Sequence, residues 1–251
     1  MSHITIYPSV LQSSAHATSK LLGIFSETFA HIQLDFCDGR FVESKTHTIH
    51  DLMNNVPQSL QEMVAHNTFE LHLMMEDPFE NIDDILGLQS FIQIKRAIIH
   101  VEIAPSESDF ISILKDMNTK ITTIPCFNLE TNLHDYPNVI QESAALQLMS
   151  VHPGSQGTAF QPSVMDSIQT LKNDMDYEGE IILDGGINSE TLAHILTYDD
   201  LPSTVCPGSY FSQGILELSD PEEARINLRA RLEKLQELVS GELPEIEVTE
   251  R

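Results

Sequence analysis

Three polar residues that fall at the ends of apolar runs carry the chemistry this sequence can offer: Asp35, His72 and Asp184. Asp35 lies in Gln33-Leu34-Asp35-Phe36-Cys37-Asp38-Gly39, which reads as a strand end followed by a tight turn, because Asp-Gly is a strong turn signal. Alternation along a strand puts Gln33 and Asp35 on one face and Leu34 and Phe36 on the other. A carboxylate at the lip of a strand, beside a second polar group, can hold a metal or take a proton. Two carboxylates and an imidazole suit a divalent transition ion such as zinc, iron, manganese or cobalt. Two Asp on opposite sides of a pocket can also act as base and acid, moving a proton between the faces of one carbon. Taken singly, His72 is equally a core histidine and Asp184, before Gly185-Gly186, a turn former; it is their convergence that points to chemistry.

Glycines supply a second pattern. Gly185-Gly186 and Gly208-Ser209 follow the last two strands, and Gly154 and Gly157 punctuate an earlier one. Turns of this kind hold phosphate on backbone N–H groups, where glycine permits close approach and unusual dihedrals.

The elements that must position these residues alternate along the whole chain. Strands are expected at 4–10, 31–36, 69–74, 97–103, 120–127, 145–151, 180–184 and 204–206. Helices are expected at 14–28, 56–65, 79–88, 107–117, 131–142, 162–174, 189–198 and 221–239. Eight strand–helix pairs imply an α/β fold of the (β/α)8 TIM barrel kind, with a doubly wound sheet as the alternative. Barrel chemistry sits at the C-terminal strand ends, where Asp35, His72, Asp184 and the glycines all fall. Residues 1–240 read as one barrel domain. The stretch 241–251, acidic and containing Pro244, reads as a poorly ordered tail.

Composition narrows the partners. With 13 basic and 38 acidic residues the net charge is -25, which argues against nucleic acid or an anionic membrane. An anionic ligand must then be held locally, by amides or a metal. Cys37, Cys126 and Cys206 form no Cys-x-x-Cys pair, so neither a disulfide framework nor a structural zinc site is expected. No apolar run reaches membrane-spanning length and the N-terminus lacks a signal core, so a cytoplasmic protein is expected.

From about residue 5 to 221 the chain resembles the ribulose-phosphate 3-epimerase family. The matching stretches are Pro8-Ser9-Val10-Leu11, Leu34 to Val42, His72-Leu73-Met74-Met75-Glu76-Asp77-Pro78 and His100-Val101-Glu102. They continue with Asn128 to Thr131, Met149 to Gly154, Asp184 to Asn188 and Gly208 to Phe211. The resemblance implies a TIM barrel of the ribulose-phosphate-binding type and a metal-dependent isomerase of the pentose phosphate pathway, interconverting D-ribulose 5-phosphate and D-xylulose 5-phosphate through an enediolate. It implies that Asp35 and Asp184 are both metal ligands and the acid/base pair, and that His72 is a ligand. It also implies that Ser9 and His72 contact substrate, and that Gly154, Ser155, Gln156, Gly157, Gly185, Gly186, Gly208 and Ser209 hold the phosphate end. Met74 and Met149 would pack beside the enediolate. Members of the family are often dimers or hexamers, which implies a homo-oligomer.

The departures cluster at the site. The family has a metal-binding His where this chain has Gln33. His31 does not repair this, lying four residues from Asp35, about 13 Å at strand rise. A neutral amide oxygen at Gln33 shifts the expected ion toward manganese or magnesium. Cys37 replaces a Met, and the loop at Ser155-Gln156 lacks the usual aromatic and second glycine. The alternative function is therefore a non-catalytic or divergent paralogue that binds a sugar phosphate.

Overall fold

The computed structural model describes residues 4–154 and 157–241; the tail expected at 241–251 lies, beyond Gly241, outside the described residues. Its strands are β1, in two halves at Thr5–Ile6 and Ser9–Val10, β2 (His31–Cys37), β3 (Thr68–Met74) and β4 (Gln93–His100). There follow β5 (Thr123–Phe127), β6 (Ala145–Met149), β7 (Glu180–Asp184) and β8 (Thr204–Cys206). Every pairing between them is parallel. The first half of β1 pairs with β8 and the second half with β2. The two ends of the strand order are thus one stretch of chain, and the sheet closes on itself. Pro8, which has no N–H, marks the handover: its carbonyl accepts from Gln33 N at 2.9 Å. The result is the (β/α)8 barrel expected from the alternation, and not a doubly wound sheet.

Strand alternation sorts the core into two layers. Ile32, Leu34, Phe36, Leu71, Leu73, Ile99, Leu146, Leu148, Ile181, Leu183 and Val205 face outward into the main core, against the helices. Ile98, Ile124, Cys126, Ala145, Met149, Ile182 and Cys206 share a smaller interior cluster with Tyr7 and Val151. At the N-terminal end of the barrel Arg96 reaches Glu180 at 2.8 and 3.1 Å and Glu70 at 2.8 Å, tying three strands from within.

The helices are α1 (Ala15–Phe25), α2 (Ile49–Asn55), α3 (Gln58–Val64), α4 (Ile82–Leu88) and α5 (Glu107–Asn118). After them come α6 (Pro137–Glu142), α7 (Val164–Gln169), α8 (Ser189–Ile195), α9 (Ser209–Ser212) and α10 (Pro221–Ser240). Two of these are additions to the sequence reading. The short α2 buries only Ile49 and Leu52 and is started by a capping box between Thr48 and Asp51. The single turn α9 follows the last strand. The strand expected at 97–103 instead begins at Gln93, and Val101–Ile103 turn away as a 3-10 helix. The segments at 131–142 and 79–88 each begin as a 3-10 turn. In the first, Pro137 restarts the helix at its first position, where no N–H is needed. The segment at 162–174 ends in a π-helical turn over Thr170–Asp174. Asp220 caps α10, and Gly241 ends it in the left-handed conformation at φ 72°.

Candidate active site

β2 carries Gln33 and Asp35 into the barrel, and its register sets Asp35 beside His72 of β3. β7 ends on Asp184, which is paired in register with Met149 on one side and Cys206 on the other. All three side chains are nearly sealed: His72 is 0% exposed, Asp35 7% and Asp184 5%. His72 Nδ1 stands 3.4 Å from Asp35 Oδ1 and 3.3 Å from Asp184 Oδ2, so one imidazole edge is shared by two carboxylates.

The Gln33 side chain joins them from below. Its Nε2 donates to Asp35 Oδ1 at 3.0 Å and to Asp184 Oδ2 at 2.7 Å, which uses both amide hydrogens. Ionised carboxylates only accept, so the amide nitrogen is the end that faces them. Gln33 Oε1 is turned toward the Cys206 thiol at 3.5 Å. Gln147, on β6, adds a second amide: Nε2 donates to Asp184 Oδ2 at 3.2 Å and lies 3.4 Å from both ring nitrogens of His72.

Burial pushes the Asp35 carboxyl above its ordinary range, and the neighbouring Asp184 carboxylate adds to this against the hydrogen bonds from His72 and Gln33. Burial disfavours the charged form of His72, but the hydrogen bonds to Asp184 and Asp35 outweigh it and hold the imidazole well above its ordinary value. The three cysteines diverge. Burial drives Cys206 well up and Cys37 to about 12. Burial also opposes ionisation of Cys126, yet the His100 and His72 imidazoles prevail and hold that thiol below its ordinary range.

Asp35, His72 and Asp184 form the floor of a pocket. Its walls are Ser9, Met74, Met149, Gly154, Gly157, Gly185, Gly186, Gly208 and Ser209, with Leu11, Val151, Pro153 and Cys206. Every described residue singled out from the sequence is therefore gathered here, except that Gln33 sits beneath the floor. Ser155 and Gln156 lie outside the described residues. His31 is at the far end of β2, against the Tyr7 ring at 4.9 Å and hydrogen-bonded to Thr68. The glycine turns are built for close approach. Gly185 has φ 115° and Gly186 φ 63°. A Cβ on Gly186 would stand 2.7 Å from Phe160 N, and one on Gly185 2.5 Å from Val151 Cγ2. α9 opens at Gly208, whose carbonyl accepts from Phe211 N and Ser212 N at 3.1 Å each. Asp38, the turn residue, is occupied structurally, accepting from the backbone N–H of Arg40, Phe41 and Glu76.

One ligand atom each from Asp35, His72 and Asp184 lies within 4.8 Å of the other two. Two hard oxygens and an imidazole nitrogen fit a divalent ion. Gln33 joins that set only if its carboxamide turns over, exchanging nitrogen for oxygen. Gln147, His100, Cys126 and Cys206 were not picked out by motif reading as parts of the site. The signal that marks the first three is alternation: Gln147 is in phase with Met149, and His100 and Cys126 are in phase with the interior residues Ile98 and Ile124 of their strands.

A closed parallel barrel with paired carboxylates, an imidazole and glycine turns at its strand C-termini defines the class: a (β/α)8 barrel enzyme with its candidate site at the usual face. The chain belongs to the ribulose-phosphate 3 epimerase family, whose family model matches residues 5–208. The Bacillus subtilis protein named ribulose-phosphate 3-epimerase is 26% identical over 193 residues, covering 75% of this chain and 83% of that one. The protein of the same name from Methanocaldococcus jannaschii is 30% identical over 166 residues, covering 65% and 64%. Among solved structures, a mutant tryptophan synthase α-subunit from Pyrococcus furiosus superposes with a TM-score of 0.62 at 15% identity, covering 94% of this chain and 99% of that one. That likeness concerns the barrel alone. Among the described residues no helix is long and apolar enough to cross a membrane.

Proposed function

We propose that this chain inverts C3 of a phosphorylated ketose, interconverting D-ribulose 5-phosphate and D-xylulose 5-phosphate. The observation that carries the reading is the pair Asp35 and Asp184, held by one imidazole and one amide at the floor of a pocket whose rim is glycine. The carbon between them loses its proton to one carboxylate and regains one from the other on the opposite face. The C3–H electron pair forms the C2=C3 double bond as the carbonyl π pair moves onto the C2 oxygen, giving an enediolate, and both shifts reverse when the new C–H bond forms. Such a relay needs one Asp ionised and the other protonated. Burial of Asp35 favours its protonated form, so Asp35 starts as the acid in one direction and as the base in the other. His72, carrying a proton, offsets the negative charge that remains. Gln33 and Gln147 keep the carboxylate oxygens in place by donating to them. Met74 and Met149 exclude water from the reacting carbon.

Asp35, His72 and Asp184 would hold a divalent ion, with Gln33 Oε1 as a further oxygen donor after the amide turns over. Bound there, such an ion supplies a Lewis acid for the C2 carbonyl. The oxygen-rich donor set supports manganese or magnesium over zinc, iron or cobalt. Backbone amides at Gly185, Gly186, Gly208 and Ser209, with Gly154 and Gly157 closing over them, hold the phosphate; Ser9 contacts the sugar. Neutral amides reconcile a chain of net charge -25 with an anionic substrate. The three buried free thiols suit a reducing compartment, which supports a cytoplasmic location. Residues 1–240 as one catalytic domain, and a homo-oligomer, belong to the same reading.

The test is exchange at C3. Incubated with ribulose 5-phosphate in D2O, the protein is expected to form xylulose 5-phosphate and to place deuterium at C3 of both sugars. Asp35→Asn and Asp184→Asn are each expected to lose about 10²–10⁴-fold in kcat. Sugar phosphate binding without exchange, in the wild-type chain supplied with manganese, overturns the proposal.

A further inference from the structure

We propose that the barrel interior contains a second, softer metal seat, formed by His72 Nε2, His100 Nε2 and Cys126 Sγ and suited to a borderline ion such as Zn2+ or Co2+. It goes beyond the epimerase reading and does not depend on it.

The three ligand atoms lie within 4.8 Å of one another and all three side chains are 0% exposed. The two Nε2 atoms are 2.9 Å apart, and Cys126 Sγ is 3.9 Å from His72 Nε2. Tetrahedral coordination with bonds of about 2.05 Å to nitrogen and 2.3 Å to sulfur asks for separations of about 3.3 and 3.6 Å. These two separations are each within a few tenths of an ångström of the tetrahedral values. Two imidazole nitrogens facing each other at 2.9 Å share one proton, and a cation taking its place needs them to part to about 3.3 Å.

The second nitrogen of each ring has a carboxylate within 3.4 Å. A ligating imidazole turns its other nitrogen to a carboxylate, which fixes the ring and its tautomer. His100 Nδ1 stands 3.4 Å from Glu102 Oε2, and Glu102 is itself anchored by Asn128 N and Thr131 Oγ1. His72 Nδ1 is backed by Asp35 and Asp184. Both rings thus present Nε2 to the same spot, beside the thiol of the next strand: His100 and Cys126 are partners in register. Gln147, the register partner of Cys126, is fully buried, and its Oε1 has no hydrogen-bond partner among the described residues. The end of the amide toward the cluster is Nε2, 3.4 Å from His72 Nε2, so Oε1 would fill a fourth position only after the carboxamide turned over. Two imidazoles and a thiolate select softer ions than two carboxylates and an imidazole do. The two seats share His72, one at each ring nitrogen.

Cobalt separates them optically. The metal-stripped protein titrated with Co2+ is expected to develop thiolate-to-cobalt charge-transfer absorption together with tetrahedral visible bands. Cys126→Ser and His100→Gln are expected to lose the charge-transfer band, and Asp35→Asn to keep it. A wild-type protein that binds cobalt without that band, or a band that survives Cys126→Ser, overturns the proposal. Should the variants fail to fold, anomalous diffraction from cobalt-loaded wild-type crystals decides. A peak within bonding reach of Cys126 Sγ supports the seat, and a peak confined to Asp35 and Asp184 overturns it. Neither readout uses turnover, so an inactive protein leaves the test intact.

Discussion

Gln33 is the residue on which the chemistry of this chain turns. An imidazole at this position could offer a lone pair to a cation; the carboxamide instead donates two hydrogens, one to the Asp35 carboxyl and one to that of Asp184. Those bonds hold Asp35 and Asp184 in place; a hydrogen bond to an ionised carboxylate is worth about 1.5–3 kcal/mol. An ion entering the same space must displace them and turn the amide over. Gln33→His is therefore expected to raise manganese or zinc affinity at least about tenfold, since it replaces a weak oxygen donor with imidazole. Titration calorimetry on metal-stripped protein reads this directly. Unchanged affinity would exclude position 33 from the coordination sphere.

At the scale of elements, the decisive part is the turn that leaves β7. Gly185 and Gly186 take left-handed φ values, and the backbone of Phe160 comes against Gly186 so closely that no side chain fits. A non-glycine residue in this conformation costs roughly 1–2 kcal/mol, and the clash adds to it. Because the neighbour is main chain, the 158–160 segment has to move. Gly186→Ala is expected to raise KM for the sugar phosphate by tenfold or more while kcat changes little, because in the proposed function the turn grips the phosphate and not the reacting carbon. Steady-state kinetics separate the two; a fall in kcat at constant KM would deny the turn its binding role.

For the molecule as a whole, stability rests partly on charge buried at the end of the barrel opposite the pocket. Arg96 is 4% exposed and Glu70 1%, and Glu180 completes the cluster from β7. Burial disfavours ionised Glu180, yet Arg96 more than offsets it and holds its carboxyl below the ordinary value of 4.5. A depressed folded-state value means that the unfolded chain binds more protons in acid. This stabilisation is complete above about pH 4.5 and is lost as the pH falls through the lower folded value. Glu180→Gln is expected to reduce the acid-side slope of unfolding free energy by up to about one proton, roughly 1.4 kcal/mol per pH unit. Urea unfolding between pH 3 and 6, on both proteins, measures it. An unchanged slope would mean that Glu180 does not titrate with folding.

The sequence by itself determined the order of strands and helices and the identity of the residues at the strand ends, because both are local: alternation, caps and Asp-Gly turns are written in neighbouring residues. Asp35, His72, Asp184 and the glycine turns were legible for that reason. Helix α2 was not, since two apolar residues make no period; nor was the break at Val101–Ile103. What only the tertiary structure decided is which inward-facing side chains meet. Gln33 and Asp184 are 151 positions apart and His72 and Cys126 are 54 apart. Strand register and barrel closure set such distances, and neither leaves a mark in adjacent residues. Gln33 read alone as a substitute oxygen ligand; in the closed barrel its nitrogen faces the carboxylates, because two acceptors on opposite strands demand two donors between them.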